Sequence, residues 1–555
     1  MHKQSYLIVA IFSLLFLQSN KTEAQLLSGP NKYTRADTLR GTINPERAWW
    51  DVKHYAVYVE PNFEEKTIEG KVDIKFKVLN AGSIMQIDLQ EPMQLGKAYI
   101  GDKAMKYRRE GNVYFIEVST PLLKDSTYTL ALKFDGKVTV AKRPPWDGGW
   151  IFTKDELGRP WMSVACQGLG ASVWFPCKDH QSDEPDFGAT LKISVPDSLV
   201  AVGNGNLIKK HSYKKGFTAY EWQVKNPINN YNIIPYIGKY VEFSEVYQGE
   251  KGPLNCSYWV LDYDLEKAKS QFKQVPLMLK AFESSFGSYP FYEDGFKLVE
   301  SPHLGMEHQS AVAYGNGFMN GYRGRDLSGS GWGLKWDFII VHESGHEWFG
   351  NNITSNDLAD MWIHEGFTNY SETVFTNFHY GKEAGDAYVQ GTRRLITNDK
   401  PIIGNYGVND EGSGDMYYKG GNLVHYVRQL FDTDEEFFKA MRDLNKRFYH
   451  QMVTTKQVED FWSEKTKKDL STLFDQYLRN TKIPVLEVQR VNQGIKFRWT
   501  NCIDNYNAPV KVLYNGKQVS LDPQTSWQSI YIGRQAETLV IDPNFYAGLK
   551  EITAQ

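Results

Sequence analysis

Phe338-Ile-Ile-Val-His-Glu-Ser-Gly-His-Glu-Trp-Phe349 is the stretch on which the reading of this chain turns. Its apolar residues recur at helical spacing, which predicts a helix within Trp336 to Phe349. His342 and His346 lie four positions apart on it, little more than one turn. Both imidazoles therefore leave one helix face, about 6 Å apart along the axis, and can share one metal ion. Glu343 is offset around the helix and reaches a water beside the metal rather than the metal itself. Two histidines with an intervening glutamate base are the donor set of a zinc hydrolase.

Working outward, Trp362-Ile-His-Glu-Gly-Phe367 predicts a second helix, and its Glu365 lies nineteen residues after His346. That interval allows a chain reversal, so Glu365 is the candidate third ligand. The five-residue pattern alone arises by accident in roughly one chain in sixty of this length. Requiring a glutamate at this one further spacing lowers that to roughly one in a thousand. Glu372, seven positions beyond Glu365, shares its face and either orients a ligand or is a plain surface carboxylate.

The surrounding chain divides by period. From about Asp51 to Glu242 short alternating runs such as Tyr55-Ala-Val-Tyr-Val59 and Lys71-Val-Asp-Ile-Lys-Phe-Lys77 predict an antiparallel sheet or sandwich. From about Asp262 the period is helical, with segments at Leu265 to Phe286, Trp336 to Phe349, Asp360 to Phe378, Gly420 to Phe431, Glu435 to Phe448 and Thr455 to Tyr477. After Ile483-Pro484 short β runs return. The expected division is a signal peptide at 1–24, an N-terminal β domain at 45–243, a zinc catalytic domain at 244–483 and a C-terminal β-sandwich at 484–555. The Gly-rich stretch Gly321 to Gly333 lacks the Gly-Lys-Ser/Thr ending of a phosphate loop and reads as a flexible connection.

Composition narrows the class. The 555 residues are 41% hydrophobic and 23% charged, ordinary for a multidomain soluble protein. With 63 basic and 66 acidic residues, a nucleic-acid-binding surface is not the main business of the chain. Lys3, the apolar run Tyr6 to Leu17 and the small residues Thr22 and Ala24 before Gln25 form the three-part layout of a secretory signal. The chain is thus expected to be exported, periplasmic or secreted, with no membrane span after cleavage; an uncleaved anchor is the other reading. Four cysteines are too few for a disulfide scaffold, and Cys166 and Cys177 either bridge or stay as buried thiols.

The chain resembles the gluzincin zinc aminopeptidases, the group that includes aminopeptidase N and a leukotriene epoxide hydrolase. The resemblance runs in order through Asp51-Val-Lys-His-Tyr55, Phe175-Pro-Cys-Lys-Asp179, Phe286-Gly-Ser-Tyr-Pro-Phe291, Gly305-Met-Glu-His308, the zinc region and Met416-Tyr-Tyr-Lys-Gly420. It implies a multidomain α+β fold with an N-terminal antiparallel β domain, a thermolysin-like α/β catalytic domain and a small C-terminal β-sandwich. It implies one Zn2+ on His342, His346 and Glu365, with Glu343 as general base and Tyr417 stabilising the tetrahedral intermediate. Glu307 would grip the substrate's free α-amine, Gln167 would line the same pocket, and Gly305 and Met306 would border the substrate. A strand edge at 304–308 could also pair with the extended substrate.

Two elements depart from the family pattern. Leu304 and His308 flank Gly-Met-Glu where glycine and asparagine are usual, and Met416 and Tyr418 flank Tyr417 where proline and glutamate are common. Tyr418 therefore stays open as the functional tyrosine. Members commonly carry a large C-terminal helical domain that closes the cleft. Here the helical pattern ends near Tyr477, about 70 residues before Gln555, so a short form without that domain is expected, with a homodimer partner as another possible wall. The expected activity is removal of the N-terminal residue from peptides with a free N-terminus. The alternatives are zinc hydrolysis of an epoxide or internal peptide bond, and an exported binding protein without activity.

Overall fold

The computed structural model describes residues 33–533 and 537–553. The signal-peptide reading at 1–24 lies outside the described residues.

The N-terminal β region is built on an eight-stranded sheet. Its spatial order is Asn206–Lys214, Phe217–Val224, Ala189–Pro196, Trp50–Asn62, Thr67–Val78, Thr127–Lys137, Gln94–Ile100 and Lys103–Ala104. The pairing is antiparallel except where Trp50–Asn62 runs parallel to Ala189–Pro196, with Tyr55 opposite Ala189. That exception to the expected antiparallel sheet has a topological cause: a long crossover joins the two strands, and only hairpins enforce antiparallel neighbours. A four-stranded sheet, which includes Gly149–Lys154 and Pro160–Ala165, and a three-stranded sheet complete this region. Together they enclose a core around Trp50, Phe76, Trp150 and Trp174.

The catalytic region begins with a five-stranded sheet ordered Tyr240–Gly249, Gly252–Leu261, Phe296–Glu300, Val312–Tyr314 and Gly305–Met306. Val299, Met306, Ala311 and Ala313 pack into the N-terminal core. Leu298, Val312 and Tyr314 join the helical core instead. The sheet is therefore the wall between the two hydrophobic masses. Gly305–Met306 is its outermost strand, so its outer edge is not paired within the sheet.

Helices follow the predicted positions with sharper ends. The segment at 265–286 is two helices, Leu265–Gln271 and Gln274–Phe286, and that at 455–477 is Thr455–Thr466 and Ser471–Leu478. Lys382–Thr392 is a helix the periodicity did not reveal. Among the described residues no helix is long and apolar enough to cross a membrane.

Two small sheets make the C-terminal β-sandwich. Its Trp499, Val510 and Tyr514 are continuous with the helical core, and the Tyr426 hydroxyl donates to Pro509 O at 2.7 Å. All four cysteines are free; Cys166 and Cys177 are buried and unbridged.

A short N-terminal segment, unread from sequence, fastens two regions together. Helix α1 (Arg35–Gly41) is capped by Thr34. The Tyr33 hydroxyl donates to Asp410 at 2.7 Å, and the Thr42 hydroxyl to Gly407 O at 2.8 Å, both on the loop 405–412 of the catalytic region. Arg40 pairs with Asp179 at 3.5 Å and donates to Gly168 O at 3.3 Å and to Leu169 O.

Candidate active site

Helix α2 (Phe338–Gly345) starts at Asp337, whose carboxylate accepts from Ile339 N and Ile340 N at 3.0 and 3.3 Å. It carries His342 in its last turn and ends at His346. Helix α3 (Trp362–Tyr380) lies against it and is buried along most of its length. Gly345 permits the close approach, since a β-carbon there would stand 2.4 Å from Ser371 Oγ. Glu365 falls in the first turn of α3, where the helix dipole favours a carboxylate.

The two helices bring His342, His346 and Glu365 into one buried group with ligand atoms within 4.8 Å of one another. Glu365 Oε2 lies 3.7 Å from His342 Nε2 and 3.4 Å from His346 Nε2. Tetrahedral bonds of zinc length put ligand atoms roughly 3.4 Å apart, so the group fits such an ion. Glu365 Oε2 is buried with no hydrogen-bond partner, an orphaned acceptor aimed into the group. The far nitrogens of the rings are engaged elsewhere. His342 Nδ1 is 2.7 Å from Glu372, and His346 Nδ1 is 3.0 Å from Phe349 O. Each Nε2 is thereby left facing Glu365. Glu372 is buried and also accepts from Asn369 at 3.0 Å and Tyr388 at 2.7 Å, so it is no surface carboxylate.

Glu343 stands beside this group, over the outermost strand. A β-carbon on Gly305 would come within 2.5 Å of its Oε1, so any larger residue there would push the Glu343 carboxylate aside. Burial pushes the Glu343 carboxyl up to about 7, with the His342 and His346 charges working against it. Met306, the next residue, is buried.

Glu307 is buried beside Glu343 and His346. Its Oε1 accepts from Gln167 at 2.6 Å and from the Tyr231 hydroxyl at 2.9 Å. Gln167 Nε2 also lies 3.5 Å from Glu365 Oε1. Burial raises the Glu307 carboxyl above its ordinary range, against the pull of His346. Glu307, Glu343 and His346 themselves form a second close trio. Tyr231 is a site residue the sequence did not mark; it comes from a short turn, Asn230–Asn232, distant in the chain from Glu307.

Tyr417 precedes helix α4 (Tyr418–Arg428), its ring 6.2 Å from that of His342. Burial raises its hydroxyl pKa, followed by the charges of Glu365, Glu411, Glu307 and Glu343. After burial, the neighbours acting on Tyr418 are Glu372, Tyr322 and, in the opposite direction, Arg394. Of the two tyrosines it is Tyr417 that faces the cleft carboxylates. His308 is fully buried with Nδ1 2.5 Å from the Tyr236 hydroxyl, and His364 Nε2 accepts from Ser355 N at 2.8 Å. Neither joins the metal-ligating group.

Two family models match the chain. The peptidase M1 N-terminal domain matches residues 51–231 and the peptidase family M1 domain residues 278–477. Aminopeptidase B of Mus musculus is 24% identical over 334 residues, covering 57% of this chain and 48% of that protein. Leukotriene A-4 hydrolase of Xenopus laevis is 22% identical over 443 residues, covering 75% and 68%. The chain thus spans about half the length of the aminopeptidase B it matches. The crystal structure of an M1 zinc metallopeptidase from Deinococcus radiodurans has a TM-score of 0.65 at 20% identity, covering 78% of this chain and 94% of that one. Both parts of the family architecture are matched, each on its own stretch, and the fold likeness runs through the two together: the chain belongs to peptidase family M1.

Proposed function

We propose that the chain is a zinc-dependent aminopeptidase that removes the first residue of peptides. The observation that carries this reading is the placement of Glu307, buried and held by Gln167 and Tyr231, beside His342, His346 and Glu365. A buried carboxylate with only neutral donors is a receptor for an ammonium group. An internal peptide bond would bring an uncharged amide there and leave the carboxylate unpaired.

His342, His346 and Glu365 are the residues that would hold zinc; the bound ion supplies Lewis acidity and lowers the pKa of a water towards ~7. Glu343 takes the proton of the attacking water and passes it to the departing amine. The Tyr417 hydroxyl donates to the carbonyl oxygen as charge develops on it. Glu307 and Gln167 fix the terminal ammonium, which sets the first peptide bond against Glu343. The outer edge at Gly305 and Met306 pairs with the extended substrate backbone.

Alanine p-nitroanilide with a free or acetylated amine, given to the zinc-loaded protein, tests the reading. Absence of turnover on the free form, and on the free anilides of lysine and norleucine, would remove it. Tyr417→Phe takes away one hydroxyl and is expected to lower kcat about 100- to 1000-fold, while Tyr418→Phe stays near normal; the opposite pattern would exchange their roles. Glu372→Ala releases His342 Nδ1 and is expected to weaken zinc binding about 10- to 100-fold. Chelator competition measures it, and an unchanged affinity would deny Glu372 its orienting role.

A further inference from the structure

Two adjacent carboxylates on the loop 405–412 have opposite surroundings. Asp410 is consumed by the fold, accepting from the Tyr33 hydroxyl at 2.7 Å, from Asn405 N at 3.0 Å and Nδ2 at 2.7 Å, and from Gly412 N at 3.2 Å. Glu411 is half-buried, and among the described residues no donor or cation pairs with it. Lys400 acts on it only through its charge.

Glu411 also stands beside the site. Its Oε2 is 3.8 Å from where a β-carbon on Gly168 would stand, and Gly168 has no side chain to cover it. Gly168 is next to Gln167, whose amide holds Glu307. On its other side Glu411 is among the charges felt by the Tyr417 hydroxyl. Burial, and then the charge of Glu365, push its carboxyl up to about 7, the mark of a carboxylate short of cations.

The loop that carries it is pinned from several directions. Asn409 Nδ2 donates to Gly168 O at 3.1 Å, Gly407 N to Asp357 at 3.0 Å, and Ser413 N to Pro401 O at 3.0 Å. Much of the cost of ordering this carboxylate is therefore met before any ligand arrives. A desolvated, unpaired and rigidly presented carboxylate binds a cation far better than a neutral group. A first residue whose ammonium was held at Glu307 would sit beside Gln167, with its side chain in reach of Gly168 and of Glu411 across from it.

We propose that Glu411 is a specificity-determining residue that pairs with a cationic side chain on the first residue, so that the preferred substrates begin with lysine or arginine. The proposal rests on the aminopeptidase reading and names its substrate class.

Lysine and norleucine p-nitroanilides have side chains of similar length and differ in the terminal charge, and neither offers a second residue. With the zinc-loaded wild-type protein, kcat/KM for lysine is expected to exceed that for norleucine about ten- to a hundredfold. In Glu411→Gln that ratio falls towards one, and in Glu411→Lys the glutamate anilide overtakes the lysine anilide. Equal rates on lysine and norleucine in the wild type would overturn the proposal, as would a ratio unchanged in Glu411→Gln. So would a basic preference confined to the second residue of dipeptides. Should a variant fail to fold, the wild-type lysine-to-norleucine ratio decides alone. Hydrolysis of every anilide without discrimination removes this proposal and leaves the aminopeptidase reading intact, whereas hydrolysis of none removes both.

Discussion

Glu343→Gln yields a folded protein that keeps its zinc and turns over about 10²- to 10⁴-fold more slowly, the range of a lost general base. The amide is the same size as the carboxylate, so it still fits over Gly305, but it cannot accept a proton. Glu343 is not one of the three residues of the group His342, His346 and Glu365, so metal content is expected to match the wild type. His342→Ala and Glu365→Ala should behave in the opposite way, losing most of the metal with the activity, because each removes one of three donors. Metal analysis of the purified variants beside their turnover separates the two classes. A metal-free Glu343→Gln, or a fully active one, would show that base and ligand roles have been misassigned.

Acetylating the substrate's amine is expected to lower kcat/KM about 10⁴-fold. Glu307 is 2% exposed, so its carboxylate has almost no water to fall back on when the ammonium is missing. Sites built to bond a polar group reject the analogue without it by factors of this order, because their own buried groups are left unpaired. The comparison needs the same leaving group on both substrates. Similar rates on free and acetylated forms would favour cleavage of internal bonds.

The metal-ligating group was legible because it is written locally. Four residues on one helix fix two imidazoles, and a nearby helix in the chain offers Glu365. The helical segments were legible for the same reason, except Lys382–Thr392, where Gly385 and Gly391 interrupt the apolar period. The parallel contact of Trp50–Asn62 with Ala189–Pro196 was not, since no local pattern specifies which of many alternating strands become neighbours. Tyr231 and Glu411 were invisible on the same grounds. One is a ring on a short turn and the other a charge in a polar loop, and each acquires meaning only from what the fold sets opposite it. Glu372 was ambiguous in sequence, and its burial against His342 decides between the two readings.

The fastening of Tyr33 to Asp410 spans 377 positions of sequence, and this bears on the order in which the molecule is made. Contacts between regions so far apart close late, after the intervening chain has been synthesised and has found its own structure. Arg40 steadies the turn that bears Gln167 from one side, and Asn409 holds the same turn from the other. A nascent chain that has not yet reached the loop 405–412 has the β region but lacks one of the two supports of that turn. The part of the site nearest Glu307 is thus completed only after the loop 405–412 has been made, and synthesis itself delays the appearance of a competent site until the ends of this long span meet.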